Sequence, residues 1–175
     1  MTISFRKVCK NEFNKVYEVI EKSFPLSEYR TLEEQFVLMD LPYFNAMVIE
    51  DEDVLVGILV EWQLEHAIYL EHLAVNPEIR GKGLGSTLMS EYLAQAERTV
   101  VLEVEDIDTD IAQRRIGFYQ RLGFTLSDVS FKQPSFEGRD EDTVDLRIMY
   151  YPKNINKDIL DQVKEELLEK VYFVK

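Results

Sequence analysis

Cysteine, glycine, proline and long apolar runs are all scarce in this chain of 175 residues. A single cysteine, Cys9, rules out a disulfide within one chain and is typical of a protein kept in a reducing compartment. The longest apolar run, residues 54–60, is far shorter than the roughly 18 residues that a membrane-spanning helix needs. No apolar segment follows the first charges of the N-terminus, so no export signal is expected. These absences predict a cytoplasmic protein that does not enter membranes.

Positive charge is also in short supply. The chain has 20 lysines and arginines against 33 aspartates and glutamates, so its formal net charge is −13. A chain this acidic should repel nucleic acids and anionic membranes. We expect a cationic partner to be favoured, and an anionic ligand to bind only where basic side chains or backbone N–H groups are concentrated.

The periodicity of the apolar residues predicts the element order β-α-α-β-β-β-α-β-α-β-β-α. Residues 2–9 alternate like a strand, which would bury Cys9 as an inert core residue. A front half rich in hairpins, followed by β-α-β units, indicates an α/β (or α+β) fold with a central, mostly antiparallel mixed sheet and helices on both faces. We expect residues 1–152 to form one domain and residues 153–175 to form a C-terminal helical extension packed on or near it.

Several helix starts are marked by capping residues, and Asn11 is the expected N-cap of the first helix. Thr31 and Glu34 form a capping-box pattern for the second helix. Asp108 or Asp110 is the expected N-cap of the fourth helix, and Asn156 is expected to start the last one.

Three of the seven glycines fall within five residues, in the stretch NPEIRGKGLGSTLMSEYL (76–93). This cluster lies between a predicted strand and a predicted helix. Backbone N–H groups at a helix start are unpaired and carry the positive end of the helix dipole. Glycines let a phosphate approach those groups closely, and Arg80 and Lys82 add positive charge. The pattern predicts a pyrophosphate-binding loop, with a tight turn that binds nothing as the alternative.

A dinucleotide-binding loop is a second alternative. GKGLGS (81–86) is close to G-x-G-x-x-G/A, and Glu103 follows 22 residues after Gly81. Five residues nevertheless separate Val75, at the end of the strand, from Gly81, whereas the first glycine of that fingerprint follows its strand at once. Hairpin-like strands also precede the loop, where a parallel β-α-β unit would be usual.

Two motifs resemble those of the GNAT superfamily of N-acetyltransferases. Arg80, Gly83 and Gly85 fit R/Q-x-x-G-x-G/A, and YLEHLAVNPEIRGKGLGSTLM (69–89) resembles the acyl-CoA signature of that family. RRIGFYQRLGF (114–124) resembles its second signature, a helix ending in Tyr followed by Gly-Phe. The element order is similar to the GNAT fold over about residues 2–150. The resemblance implies a transferase of the EC 2.3.1 class that uses acetyl-CoA as co-substrate and needs no metal. A CoA-binding sensor or scaffold without turnover stays open.

The resemblance also implies which residues bind the co-substrate. Backbone groups of residues 73–75 would pair with the pantetheine arm, and residues 80–86 would hold the pyrophosphate. The cofactor-binding residues so implied are Leu73, Ala74, Val75, Arg80, Gly81, Lys82, Gly83, Leu84, Gly85, Ser86 and Arg115. Ala112 and Arg115 stand where the family often has Asn and Ala, so the Asn contact to CoA is absent or replaced, with the charge of Arg115 as one replacement.

Acetyl transfer to an amine needs a neutral amine and a proton or hydrogen bond for the departing thiolate. Tyr119, in the second signature, is implied to lie near the CoA sulfur and to donate that proton. Glu71 shares a strand face with Tyr69 and Leu73 and is the candidate base, directly or through water. An ion pair with a basic neighbour is the open alternative for Glu71, and His72, on the opposite face, is interpreted as structural.

The resemblance also implies which residues border the acceptor amine. Phe24, Glu28, Tyr29 and Tyr69 fall at positions that border the acceptor in the family. Glu28 and Glu71, with Glu61, would make the pocket acidic, so a cationic small-molecule or peptide amine is predicted. Polyamine, amino sugar, small amine and protein N-terminus all remain open, as do monomer and homodimer.

Overall fold

The computed structural model describes residues 1–81, 83–136, 144–152 and 154–174. The described residues form seven strands and five helices in the predicted order. The strands are β1 Ile3–Lys7, β2 Phe44–Asp51, β3 Val54–Gln63, β4 Ile68–Val75, β5 Val100–Glu105, β6 Thr125–Lys132 and β7 Asp145–Tyr151. The helices are α1 Phe13–Ser23, α2 Leu32–Leu38, α3 Leu84–Gln95, α4 Asp110–Arg121 and α5 Lys157–Glu166, which continues as a π-turn over Leu167–Val171. No helix in the described part of the chain is long and apolar enough to cross a membrane.

The strands form one sheet in the order β1-β2-β3-β4-β5-β7-β6. Four pairs of neighbouring strands are antiparallel: β1 with β2, β2 with β3, β5 with β7 and β6 with β7. β4 and β5 are parallel, with Ile68 opposite Val100 and Tyr69 opposite Val101. The prediction of a mixed, mostly antiparallel sheet is therefore confirmed.

Two of the predicted helix caps are confirmed, and two are wrong by a single residue. The N-cap of α1 is Glu12, not Asn11. Thr31 and Glu34 form the reciprocal capping box of α2, and the Asn156 side chain accepts a hydrogen bond from Ile159 N at the start of α5. The N-cap of α4 is Thr109, not Asp108 or Asp110. Its hydroxyl accepts from Ala112 N at 3.1 Å. A threonine hydroxyl satisfies a first-turn N–H group as a carboxylate does.

The prediction that Cys9 lies in the core is also wrong, because Cys9 is exposed. β1 ends at Lys7, and Cys9 is the N-cap of a 3-10 turn over Lys10–Glu12. The alternating pattern of the strand therefore stops two residues early, and Val8 is the neighbour that is buried.

The chain groups into two compact units. The first comprises Met1–Gln63 and Leu70–Ala96, and the second comprises Leu64–Tyr69 and Glu97–Lys175. Each unit has its own apolar core. Fully or almost fully buried residues of the first include Phe13, Ile20, Ile49, Ile58, Leu59, Trp62, Leu88 and Met89. Those of the second include Val100, Val101, Ile148, Met149, Val163, Leu167 and Val171. The predicted division at residue 152 stays a prediction.

In the second unit, α5 binds the turn that precedes β4. The Glu166 carboxylate accepts from Glu65 N at 2.7 Å, from His66 N at 3.2 Å and from His66 Nδ1 at 2.6 Å. Arg98 donates to the carbonyls of Leu64 and Glu65 in the same turn. Burial raises the pKa of Glu166, but the hydrogen bonds from His66 and Glu65 outweigh it and lower that pKa. The C-terminal helix therefore contributes directly to the shape of this turn.

Gly57 in β3 gives a stability prediction for the first unit. A Cβ at this position would lie 2.7 Å from the Ala74 carbonyl oxygen and 2.8 Å from Leu88 Cδ1. Gly57→Ala should therefore lower the free energy of unfolding by about 1–3 kcal/mol, the usual cost of overpacking. Urea denaturation followed by circular dichroism measures the change.

Gly117→Ala is the matched control for that variant. Gly117 lies in α4, and its added Cβ would approach only the end of the flexible Arg121 side chain, at 3.4 Å. Since alanine is favoured over glycine in a helix by roughly 0.5–1 kcal/mol, this variant should be as stable as wild type or more stable. A Gly57→Ala protein with wild-type stability would show that β3 and β4 can separate without cost.

Candidate active site

The glycine loop connects β4 to α3. Asn76 starts it: its side chain accepts from Glu78 N, at the 3-10 turn over Pro77–Ile79, and donates to the Leu55 carbonyl at 3.0 Å. Gly81 has φ 128°, and Gly83, the N-cap of α3, has φ 72° and ψ 18°. Only glycine adopts such positive φ values without strain. The backbone conformation therefore accounts for two of the three clustered glycines.

The remaining members of the predicted loop behave differently. A Cβ added at Gly85 would make an ordinary contact of 3.7 Å with Val75 Cγ2, so nothing steric requires glycine there. Leu84 and Ser86 are half-buried in the first turn of α3. Lys82 lies outside the described residues.

The start of α3 fits a phosphate group. A Cβ added at Gly81 or Gly83 would meet no atom within 4 Å, so the space in front of the loop backbone is open. α3 is a twelve-residue helix, and its first backbone hydrogen bond runs from Thr87 N to the Gly83 carbonyl. The Leu84 N–H donates to the Gly81 carbonyl at 3.2 Å, and the N–H groups of Gly85 and Ser86 follow it in the first turn, where the helix dipole favours negative charge. The chemistry of this loop therefore suits a pyrophosphate.

Arg80 is oriented beside this loop by the end of α1. Its Nη2 donates to Ser23 Oγ at 2.6 Å, and its Nε points to the Val75 carbonyl at 3.5 Å. Ser23 is the last residue of α1 and had not been predicted to belong to the site. The hydrogen bond limits the directions in which the exposed guanidinium can point.

The end of β4 leads into the loop. Ala74 is buried, Leu73 and Val75 are half-buried, and the Ala74 carbonyl lies beside Gly57 of β3. Pairing of residues 73–75 with a pantetheine arm stays a prediction. Arg115 is exposed on α4 in the second unit, and its role likewise stays a prediction.

Glu71 is engaged in a buried ion pair. Its Oε1 accepts from Arg30 Nη1 at 2.6 Å, and its Oε2 accepts from the Trp62 indole N–H at 2.9 Å. The side chains of Arg30 and Glu71 are each 5% exposed. The structure thus shows the arrangement left open from the sequence, a strand carboxylate paired with a basic neighbour. Neither partner had been assigned to Glu71 in advance.

This environment sets the ionisation of Glu71. Burial raises the pKa of the carboxyl, but the positive charge of Arg30, with smaller effects from His72 and the Trp62 hydrogen bond, lowers it by more. The net direction is a pKa below the ordinary value. Glu71 is therefore ionised at neutral pH and is a weak proton acceptor, better suited to accept a hydrogen bond than to hold a proton.

His72 contacts the connection between α1 and α2, the segment that also carries Arg30. Its Nε2 lies 2.9 Å from the Glu28 carbonyl oxygen, and its ring packs against Phe24 at 4.6 Å between centroids, with the two ring planes tilted by 59°. A carbonyl only accepts hydrogen bonds, so Nε2 carries the proton. Nδ1 is buried and has no hydrogen-bond partner among the described residues. Two successive residues of β4, Glu71 and His72, thus fix the segment from Phe24 to Arg30.

The other predicted acceptor residues differ in accessibility. Phe24 and Glu28 are half-buried. Tyr29 is 6% exposed and packs edge-on against Tyr17, while Tyr69 is 3% exposed in β4. The last two rings therefore contribute to the core, and their contact with an acceptor stays a prediction.

Glu61 does not present a free carboxylate. It is 5% exposed and accepts from Tyr92 Oη at 2.6 Å, from Gln63 Nε2 at 2.8 Å and from Asn45 Nδ2 at 3.0 Å. Burial, and then the Glu61 charge, raise the pKa of Tyr92 well above its usual range, so the phenol stays protonated and donates. The hydrogen-bonding capacity of this carboxylate is thus directed inward.

Tyr119 lies in the last turn of α4, in the second unit. Its ring contacts Phe118 at 5.2 Å and Phe124 at 5.7 Å between centroids, both nearly edge-on. Its backbone carbonyl accepts from Leu122 N and Phe124 N, which ends the helix ahead of Gly123. The ring is half-buried and held from two sides.

Comparison with known proteins agrees with this fold. The profile of the Acetyltransferase (GNAT) family matches residues 10–124. A structure from Bacteroides thetaiotaomicron, assigned to the GNAT family as an acetyltransferase, is 30% identical, has a TM-score of 0.90, and aligns over 98% of this chain and 99% of its own. YjbC of Bacillus subtilis (strain 168), assigned as an acetyltransferase, is 22% identical over 91% of this chain and 82% of its own length. The structure of yncA from Salmonella typhimurium with its cofactor acetyl-CoA is 18% identical, with a TM-score of 0.57 over 89% of this chain and 96% of its own. The family match covers well over half of the sequence, and this chain belongs to the GNAT family of acetyltransferases.

Proposed function

We propose that this protein transfers the acetyl group of acetyl-CoA directly to a primary amine. The observation that carries the proposal is the glycine loop at the start of α3, with left-handed Gly83 at the N-cap and Arg80 beside it. A positive, open loop of this kind suits a pyrophosphate in an otherwise acidic chain. The acetyl-CoA in the Salmonella relative supports the same co-substrate here. When bound, acetyl-CoA supplies a thioester whose acyl carbon an amine can attack.

Each group of residues has a proposed task. Residues 80–86 bind the pyrophosphate, and the backbone of residues 73–75 pairs with the pantetheine arm. Glu71 accepts a hydrogen bond or a proton from the acceptor amine. Tyr119, by its place in the second signature, gives its phenol proton to the departing sulfur. We assign no acyl-cysteine step, because exposed Cys9 caps a turn near the N-terminus.

The proposed acceptor is a cationic small-molecule or peptide amine in the cytoplasm. Glu61 and Glu71 are both occupied by internal donors, so neither adds free negative charge. The support for a cationic acceptor is therefore the net charge of −13. Attraction of this kind acts at long range and is screened by salt.

We expect this attraction to be measurable with matched peptide acceptors. Ala-Lys-Lys and Ala-Glu-Glu share an N-terminal amine and differ in the charge that follows it. At low salt, kcat/KM should be higher for the lysine peptide by about tenfold or more, through faster encounter. The ratio should shrink as NaCl is raised from about 0.02 M to about 0.5 M, because the screening length falls below 10 Å. Mass spectrometry of the acetylated products measures both rates.

The same experiment, extended to spermidine, glucosamine and benzylamine, tests the proposed function. Transfer to at least one of these amines is expected. If acetyl-CoA binds and no amine is acetylated, the protein is a CoA-binding sensor or scaffold. A best acceptor with net negative charge would contradict the cationic assignment while leaving acetyl transfer intact.

A further inference from the structure

Arg30 is held rigidly next to Glu71. Its guanidinium donates to the Glu71 carboxylate at 2.6 Å, and its Cζ lies 5.6 Å from the centre of the Trp62 ring. Its backbone carbonyl accepts from the Tyr17 hydroxyl at 3.0 Å, and Thr31, the next residue, caps α2. The backbone and the side chain of Arg30 are thus both held in place. The planar guanidinium can therefore present its hydrogen-bond donors to Glu71 in one orientation.

The charges that act on Glu71 come from two elements. The connection between α1 and α2 supplies Arg30, and β4 itself supplies His72. β3 adds the neutral indole of Trp62. Glu28 lies on the same connection, and its backbone carbonyl accepts a hydrogen bond from His72. Arg30 is the charged group in direct contact with the carboxylate.

A carboxylate without this partner would hinder the proposed reaction. A free negative charge next to the acceptor nitrogen stabilises its ammonium form and raises the pKa of the amine. An ammonium has no lone pair with which to attack the acyl carbon. A guanidinium in contact with the carboxylate cancels most of that field, yet the carboxylate oxygens can still accept hydrogen bonds.

We propose that Arg30 is a positioning residue for acetyl transfer, holding Glu71 in one orientation and cancelling its charge so that the acceptor binds there as a neutral amine. The inference rests on the proposed function of this site. It also narrows the acceptor class. If the acceptor carries a positive charge that attracts it to the acidic protein, that charge lies on a group other than the reacting nitrogen. A peptide with basic residues after its N-terminus and a polyamine both fit this description.

The test is the pH dependence of kcat, which reports ionisations in the enzyme–substrate complex, for Arg30→Gln beside wild type, with the most rapidly acetylated of the amines named above. The acidic limb of the profile should move to higher pH by about one unit or more in the variant. Either of two effects moves the limb in this direction. If Glu71 keeps its charge, it holds the acceptor in the ammonium form. If the buried Glu71 loses Arg30 and takes up a proton, a higher pH is needed to ionise it again. Arg30→Lys keeps the charge but loses the planar fork, so its limb should move the same way by a smaller amount.

Arg147→Gln is the matched control. Arg147 is 17% exposed and paired with Asp106 at 3.4 Å in the second unit, so its loss removes an ion pair that does not include Glu71. Its acidic limb should coincide with that of wild type. In the double variant Arg30→Gln/Glu71→Gln, the shift of the acidic limb caused by Arg30→Gln should disappear, because the carboxylate that causes it is gone.

Several outcomes would overturn the proposal. A decrease in kcat of equal size at every pH would make Arg30 a structural residue. A displacement that persists in the double variant would belong to another group, such as His72. If Arg30→Gln does not fold by circular dichroism, Arg30→Met, which is also uncharged, carries the test, and an unmoved limb in that variant contradicts the proposal. A wild-type protein that acetylates no amine would contradict the proposed function, whereas an active wild type with an unmoved limb would contradict the role of Arg30 alone.

Discussion

Replacing Tyr119 by phenylalanine should lower kcat for acetyl transfer by about 10²–10⁴-fold, the usual contribution of a general acid. This corresponds to roughly 3–5 kcal/mol of barrier. A tyrosine hydroxyl is a hydrogen-bond donor and can give its proton to the departing sulfur. The Kd of acetyl-CoA should stay unchanged, because Phe keeps the ring that packs against Phe118 and Phe124. Single-turnover kinetics with calorimetric binding of acetyl-CoA separates the two quantities.

Tyr92→Phe is the control for the loss of a tyrosine hydroxyl. The Tyr92 hydroxyl donates to the buried Glu61 carboxylate at 2.6 Å. Its removal should cost stability, since a buried carboxylate loses a donor, while turnover per folded molecule is retained. Raising the pH should not rescue Tyr119→Phe, because more free amine does not replace a missing proton donor. Near-normal turnover in Tyr119→Phe would mean that solvent, or the thiolate's own stability, completes the reaction.

The features that could be predicted from sequence are those set by neighbouring residues. The capping box of Thr31 and Glu34 spans one helical turn, and the glycines at 81 and 83 satisfy a backbone conformation within their own loop. The errors are also local. Cys9 and the N-cap of α4 were misplaced because an alternating pattern and a run of capping residues do not define an end to the residue.

The contacts that define the candidate site depend instead on tertiary placement. Arg30 and Glu71 are 41 residues apart in sequence, and Ser23 and Arg80 are 57 apart. No periodicity or spacing links such pairs, since each depends on where the connection after α1 lies against β4 and its loop. The sequence therefore identified Glu71 and left open whether it was a free base. The ion pair changes the chemistry expected of it, from proton acceptor to a carboxylate with a cancelled charge.

The co-substrate loop gives the second large expected effect. Wild-type protein should unfold at a higher temperature with acetyl-CoA, because a ligand bound only to the native state adds RT ln(1 + [L]/Kd) to its stability. At about a hundred times Kd this amounts to roughly 2.7 kcal/mol. Gly83→Val should abolish the increase. Gly83 has φ 72°, which a β-branched residue adopts only with strain, and the new side chain would fill the open space before the first turn of α3. Differential scanning fluorimetry at increasing acetyl-CoA measures the effect.

Gly123→Ala separates loss of binding from backbone strain in that experiment. Gly123 also has a positive φ, 101°, and an added Cβ would lie 3.0 Å from the Tyr151 ring, so this variant should melt at a lower temperature than wild type. It should still gain stability from acetyl-CoA, because Gly123 lies outside the α3 loop. A Gly83→Val protein that keeps the full increase would remove Gly83 from the binding site. Titration with NAD in place of acetyl-CoA tests the remaining alternative for the same loop, since a dinucleotide-binding enzyme would be stabilised by NAD and an acetyl-CoA-binding loop of this sequence would not.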